Sequence, residues 1–149
     1  MKKLLIVFAA AFSLIACQQR SSKTAGEKEV NPIEDSANFT TIQWIDSTEK
    51  DLGTVKEGPE VEVAYRFKNT GDKPLIISNV QPSCGCTITE TPKEPFAPGD
   101  EGTIRAKFTT KGHKGTNDKS IAVMANTKGN TNQQLRFHVV VEENKNNQN

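Results

Sequence analysis

A two-residue alternation of apolar and polar side chains is the feature that most constrains the fold of this chain. Residues 60–68 place four apolar side chains on one face, namely Val61, Val63, Tyr65 and Phe67. Charged side chains such as Arg66 lie between them. Because successive side chains of a β-strand point to opposite faces, this pattern predicts a strand that is buried on one side. Residues 103–108 and 135–142 repeat the alternation and predict two further strands.

Turn residues separate these segments from four more strands predicted at 41–45, 75–80, 86–89 and 120–125. Segments 69–74, 97–100 and 111–115 contain the Gly, Pro, Asn and Asp residues that favour turns. We find no ten-residue stretch with a helical pattern. About seven short strands in about 105 residues predict a single all-β domain, an antiparallel sandwich of immunoglobulin type. A small closed barrel is the alternative architecture.

The amino terminus has the organisation of a secretory signal peptide. Lys2 and Lys3 precede an apolar run over residues 4–12, which is shorter than the roughly 20 residues that a membrane-spanning helix needs. The run Leu14-Ile15-Ala16-Cys17 resembles the bacterial lipobox, so we expect cleavage after residue 16 and acylation of Cys17, including a palmitate-type chain. The alternative is an ordinary signal peptide with a cysteine nearby by chance. Several acyl chains on one residue hold a protein firmly to a lipid bilayer.

Composition divides the remaining chain into three parts. Residues 17–38 are polar and rich in Ser, Lys and Glu, so they are expected to form a flexible tether after the lipid. Residues 39–143 form the predicted immunoglobulin-like domain, and residues 144–149 a disordered tail. Gln18, Gln19 and Arg20 include no run of acids, which favours an outer-membrane position facing the periplasm.

The charge balance argues against a nucleic-acid partner. Removal of residues 1–16 takes away Lys2 and Lys3, so 19 basic residues become 17 against 18 acidic ones. A protein that binds phosphates needs a basic surface, which this balance does not offer. The expected partners are the bilayer, through acylated Cys17, and an envelope protein. No small-molecule substrate and no cofactor are inferred.

Several motifs in the domain together resemble the domain of unknown function 1573 family of secreted bacterial proteins. They cover roughly residues 39–141 and read Asp51-Leu52-Gly53-Thr54-Val55, Tyr65-Arg66-Phe67-Lys68-Asn69-Thr70-Gly71, Pro74-Leu75-Ile76-Ile77, Cys84-Gly85-Cys86-Thr87 and Ala97-Pro98-Gly99. Leu52 stands where the family usually has Phe, a swap of similar volume. The resemblance implies an immunoglobulin-like fold, found often in lipoproteins of Bacteroidetes, and it implies no activity.

Cys84 and Cys86 are the residues of the domain with the most distinctive chemistry. In an extended segment they would share a face but lie too far apart to bond, whereas a turn at Gly85 would bring them together. Exposed, strained disulfides are often redox-active, and thiolates also bind Cu(I) or Zn(II). Neither His113 nor His138 has metal-ligand spacing to these cysteines. The remaining interpretation is purely structural, either packing at a sheet edge or a tight bridge without turnover.

The sequence contains none of the common catalytic motifs, neither a nucleophile elbow, a phosphate loop nor a helical zinc motif. We therefore predict a non-enzymatic, membrane-anchored interaction module, with a thiol redox or copper-binding protein at Cys84 and Cys86 as the alternative. Ser36 and Ser47 lie in Asp-Ser-small patterns that suggest O-glycosylation. Trp44 is expected to lie in the core.

Overall fold

A computed structural model describes Ile33 and residues 35–144 of this chain. A short 3₁₀ helix, Ser36–Asn38, precedes eight β-strands. The strands are β1 (Ile42–Trp44), β2 (Glu49–Lys56), β3 (Glu60–Asn69), β4 (Ile77–Pro82), β5 (Thr87–Thr89), β6 (Glu101–Thr109), β7 (Gly115–Ala125) and β8 (Asn132–Glu142). Within the described residues no α-helix occurs.

The strands form two sheets of four that pack face to face. The first sheet has the order β1-β3-β6-β5, and the second has the order β2-β8-β7-β4. The inner faces of both sheets supply the buried apolar cluster that forms the core. The immunoglobulin-like sandwich predicted from the sequence is therefore confirmed, with eight strands where about seven were expected.

The two-residue alternation of β3 is confirmed by its burial. Val63 is 3% exposed, and Tyr65 and Phe67 are fully buried, while Glu62 and Arg66 on the opposite face are exposed. Phe67 lies edge-on to Trp44 and to Phe96, with ring centroids 5.7 and 4.9 Å apart. Burying such side chains on both sheets is the main source of stability for a sandwich of this size.

Strand β2 departs from the sequence prediction in two ways. It was not predicted as a strand, and it pairs with β8 in parallel, whereas every other strand pair in the two sheets is antiparallel. Gly53 adopts a φ of 68°, and the register shifts between Asp51 and Thr54. This bulge moves the inward positions from Lys50 and Leu52 to Val55, so the two-residue alternation is broken within the strand.

Two buried asparagines fasten the end of the sandwich at which the chain enters. Asn126 Nδ2 donates to the carbonyl oxygens of Asn38 (2.6 Å) and Pro74 (3.0 Å). Asn69 Nδ2 donates to the carbonyl oxygens of Lys73 (2.8 Å) and Phe96 (2.9 Å). Both asparagines are fully buried, and each amide bonds two main-chain carbonyl oxygens of neighbouring segments. We call this region the asparagine end.

Most of the segment expected to be a tether, residues 17–38, lies outside the described residues. Its last part does not lie free of the domain. Asp35 caps the 3₁₀ helix through a bond from Ala37 N, and the Asn38 carbonyl is held by Asn126. Ile33 is also buried. Residues 35–38, which precede the predicted domain start at 39, are therefore in contact with the domain.

Candidate functional site

The segment Ser83–Cys86 crosses from the second sheet to the first, between β4 and β5. A turn at Gly85 brings the Cα atoms of Cys84 and Cys86 to 5.3 Å, and the two sulfurs form a disulfide. On one side Ser83 N donates to the carbonyl of Ser120 on β7, at 2.9 Å. On the other side Thr109, the last residue of β6, donates its N–H to the carbonyl of Cys86, also at 2.9 Å. We call this segment, with Thr87, the disulfide corner.

The two sulfurs of the disulfide corner have different surroundings. Both cysteines are half-buried, and Gly85 between them is exposed. Cys86 packs against the hydrophobic core. The sulfur of Cys84 instead lies 3.7 Å from the hydroxyl oxygen of Thr87, a side chain that is 4% exposed. The corner thus has an inner sulfur set against apolar groups and a sulfur with a polar neighbour.

The disulfide is expected to stabilise the fold less than a bond that closes a long loop. It closes a ring of only three residues, and a bond removes less loop-closure entropy from the unfolded chain when the loop it closes is shorter. For three residues this stabilisation is about 1.6 kcal/mol, compared with about 3 kcal/mol for a loop of about 15 residues. The Cys84–Cys86 disulfide is therefore a weak source of stability for the fold.

Strand β5 leaves the disulfide corner and forms one edge of the first sheet. Its central residue, Ile88, pairs in register with Lys107 of β6 and is 60% exposed. It is the most exposed large apolar side chain among the described residues. An apolar side chain on an unpaired sheet edge is a common point of attachment for another polypeptide.

A second group of polar residues lies on the outer face of the second sheet. Register pairing sets Asp51 of β2, His138 of β8 and Asp118 of β7 in one row across three strands. Together with Glu49 and Arg136 they line an open depression of about 570 Å³. The Nδ1 atom of His138 lies 2.8 Å from Asp118 Oδ1.

This hydrogen bond with the Asp118 carboxylate raises the pKa of His138 above its ordinary value, and the charges of Asp118 and Asp51 add to the effect. The alternation of residues 135–142 predicts an outward-facing His138, but it does not predict the row. The row depends on β2, whose pairing was not predicted. Nothing in the depression selects one class of ligand, because acids and bases are mixed along it.

The remaining predicted site residues are distributed along the chain and do not join these two groups. Cys17 lies outside the described residues. Ser36 and Ser47 are both exposed, and the Ser47 hydroxyl donates to the Glu49 carbonyl at 2.7 Å. Trp44 packs against the core as expected, although its buried Nε1 has no hydrogen-bond partner among the described residues.

Over Ile33 and residues 35–144, no three His, Cys, Asp or Glu side chains are placed to hold a metal ion. The same part of the chain includes no helix of sufficient length and hydrophobicity to cross a membrane.

Comparison with known proteins assigns residues 43–141 to a family described as protein of unknown function (DUF1573). No curated protein matches the chain. Among solved structures, a protein of unknown function from Porphyromonas gingivalis W83 is similar, with a TM-score of 0.62 and 15% identity over 71% of this chain and 49% of that one.

Two further structures share the fold. The secreted serine protease VesC from Vibrio cholerae matches with a TM-score of 0.51 and 13% identity, over 68% of this chain and 23% of its own length. The ASH / PapD-like domain 7 of human CEP192 matches with a TM-score of 0.51 and 12% identity, over 72% of this chain and 87% of that domain. The chain thus spans about half or less of the two bacterial proteins, and identities this low show the fold alone.

Proposed function

Because this chain belongs to the DUF1573 family, whose description assigns no activity, we propose from its own surface that it is a lipid-anchored, non-catalytic interaction module of the bacterial cell envelope. The module binds an extended segment of an envelope protein along β5. The observation that carries this proposal is the exposed Ile88 on that edge. An added strand would gain apolar contact from Ile88 and main-chain hydrogen bonds from the part of the edge beyond Thr87, whose N–H already donates to the Cys84 carbonyl.

The other sheet edges are less suited to strand addition. On β4, Val80 is already bonded to side chains, since its N–H donates to Thr91 Oγ1 and its carbonyl accepts from Thr89 Oγ1. Strand β2 carries the bulge at Gly53, and bulges disrupt edge pairing. Strand β1 is as short as β5, but it lies beside the asparagine end, where the chain enters the domain.

The position of β5 within the domain supports the same function. The chain enters at the asparagine end, next to Asn69 at the end of β3. The disulfide corner lies beside Thr109, which pairs with Glu60 at the start of β3. The ten residues of β3 separate these two ends by about 31 Å. In a chain held by its amino terminus, β5 is thus presented away from the attachment point.

Attachment through acylated Cys17 is the second part of the proposal, with the outer membrane and the periplasmic side as its location. It is supported by the run Leu14-Ile15-Ala16-Cys17. Replacement of the cysteine, Cys17→Ala, is expected to abolish fatty-acid labelling and to release the protein from the membrane fraction. Labelling that persists in this variant would contradict the anchor.

Photo-crosslinking in intact cells tests the interaction surface. A crosslinking amino acid at position 88 is expected to capture a discrete envelope protein, and the same amino acid at position 43 serves as the matched control. Gln43 is an exposed residue on β1, the opposite edge of the same sheet. Equal capture at both positions, or capture at position 43 alone, would contradict the assignment to β5.

A further inference from the structure

The disulfide corner is anchored by main-chain hydrogen bonds that do not depend on the sulfur–sulfur bond. Ser83 N donates to Ser120 O at 2.9 Å and Thr109 N donates to Cys86 O at 2.9 Å. Within the corner, Thr87 N donates to Cys84 O at 3.3 Å. Because the turn is held from both sheets, it is expected to stay in place when the disulfide is opened. We therefore expect the oxidised and reduced forms to share one fold, which is a requirement for reversible exchange.

Access favours attack at one of the two sulfurs. Cys86 packs against the core, whereas Cys84 has the Thr87 hydroxyl at 3.7 Å and is followed in the chain by the exposed Gly85. A hydroxyl that donates to a thiolate stabilises the charged form of the sulfur. Cys84 is thus the sulfur suited both to receive a nucleophile and to leave as a thiolate, and Cys86 is its inner partner.

We propose that the Cys84–Cys86 disulfide is a thiol–disulfide exchange site that accepts two electrons from the dithiol of another protein. Partly exposed disulfides are more oxidising and more labile than buried structural ones, and this bond is a weak staple for the fold. This function goes beyond binding at β5 and does not rest on it. The exposed Ile88 next to the corner gives a protein substrate an apolar contact.

The exchange proceeds in two steps. A thiolate of the partner attacks the sulfur of Cys84, the bond to Cys86 breaks, and the electron pair passes to the Cys86 sulfur, which takes a proton from water. The partner's second thiolate then attacks its own sulfur in the mixed disulfide. Cys84 leaves as a thiolate beside the Thr87 hydroxyl. The partner dithiol has become a disulfide, and the corner holds two reduced cysteines.

Equilibration in glutathione buffers tests the redox property with the full chain in detergent. After alkylation, mass spectrometry of the peptide that contains residues 84–86 reports its redox state, so Cys17 does not contribute to the signal. In reduced glutathione the bond is expected to be at least about tenfold more reduced than a structural disulfide of a secreted protein in the same tube. A bond that stays as oxidised as this standard would overturn the proposal, even if crosslinking at position 88 succeeds.

A matched pair of variants tests the roles of the two sulfurs. Cys86→Ser leaves Cys84 as the single thiol of the corner, and Cys84→Ser leaves Cys86. With oxidised glutathione as the probe, Cys84 is expected to form the mixed disulfide at least about tenfold faster than Cys86. Equal rates, or a faster Cys86, would overturn the assignment of Cys84 as the exchanging sulfur. Circular dichroism verifies that each variant is folded. If a variant does not fold, the glutathione equilibrium of the unmodified chain decides the proposal.

Thr87 is inferred to be a positioning residue, and its test separates this role from a structural one. In the Cys86→Ser background, Thr87→Val removes the hydroxyl with little change of shape. The pH midpoint of Cys84 alkylation is expected to rise, and Thr87→Ser is expected to restore it. An unchanged pH profile in the valine variant would show that the hydroxyl does not act on Cys84.

Discussion

At the scale of single residues, polar groups placed inside the sandwich link its two sheets. The hydroxyl of Tyr65, on β3 of the first sheet, donates to the carbonyl of Arg136 on β8 of the second, at 2.7 Å. Lys50 lies beside it, with its ammonium 5.1 Å from the Tyr65 ring centroid and 2.5 Å from the Ala64 carbonyl. These bonds fix how the two sheets pack, because each has its donor on one sheet and its acceptor on the other.

Removal of the Tyr65 hydroxyl is expected to weaken the fold. Tyr65→Phe leaves the Arg136 carbonyl without this donor, and the free energy of unfolding in denaturant should fall by about 1–2 kcal/mol. Burial also raises the pKa of Tyr65 to about 12. The stabilisation of the folded state by the neutral Tyr65 hydroxyl is therefore fully present below about pH 10, the ordinary tyrosine pKa. It is lost as pH rises towards 12. The phenylalanine variant should lack this part of the alkaline loss of stability, and equal alkaline unfolding in both proteins would contradict the assignment.

The titration of His138, on the outer face of the second sheet, is expected to depend on its two acidic neighbours. Its hydrogen bond with Asp118 raises the folded-state pKa, so its midpoint in an NMR titration should lie above the ordinary value of about 6.5. The stabilisation is fully present below that ordinary value and is lost as pH rises through the folded pKa. Asp118→Asn should lower the midpoint, and Asp51→Asn should lower it less because Asp51 acts through charge alone. A larger effect of Asp51→Asn would contradict this order.

At the scale of strands, the sequence predicted those elements whose alternation is unbroken. Strands β3, β6 and β8 were found from alternation alone, since each buries every second side chain. Strand β2 was missed for a physical reason. Its bulge at Gly53 changes which positions face inward, and one of those positions is Lys50, a charged residue that period-two reasoning places on the surface.

The same limit applies to the candidate sites. The disulfide corner could be anticipated from Cys84-Gly85-Cys86, because two cysteines separated by one glycine need only a local turn to meet. The row of Asp51, His138 and Asp118 could not be anticipated, because its members come from three strands and one of these pairs in parallel after a bulge. Chemistry within a few residues can be read from a sequence, whereas chemistry across strands needs the register.

The bulge in β2 is expected to depend on glycine. Gly53 has a φ of 68°, a left-handed conformation that costs other residues about 1–2 kcal/mol, while an added Cβ would meet no atom within 4 Å. Gly53→Ala should therefore lower the free energy of unfolding by about 1 kcal/mol through backbone strain alone. Gly53→Asn is the matched control, because asparagine tolerates this conformation better, and it should cost less. Equal losses in both variants would indicate a packing effect instead of strain.

At the scale of the whole molecule, stability and chemistry lie in different places. The core is shared between the two sheets, with fully buried side chains such as Phe67, Phe108 and Leu135. The asparagine end closes the side at which the chain enters. The disulfide corner and Ile88 lie towards the other end, next to a short edge strand. Within the corner Cys86 packs against the core, while Cys84 and the exposed Gly85 are not part of the buried cluster, so a change at this end is expected to disturb the core less than a truncation inside it.

This separation predicts that the fold survives the loss of its disulfide. The double variant Cys84→Ser with Cys86→Ser should lose about 1.6 kcal/mol of unfolding free energy, the amount expected for a three-residue ring. Leu135→Ala, a core truncation on β8, should lose about 2–5 kcal/mol in the same denaturant titration. If the double serine variant loses as much as Leu135→Ala, the bond is a structural staple and the hydrogen bonds of the corner do not hold the turn alone. A small loss with an unchanged denaturant slope would leave the reduced domain folded, as an exchange site requires.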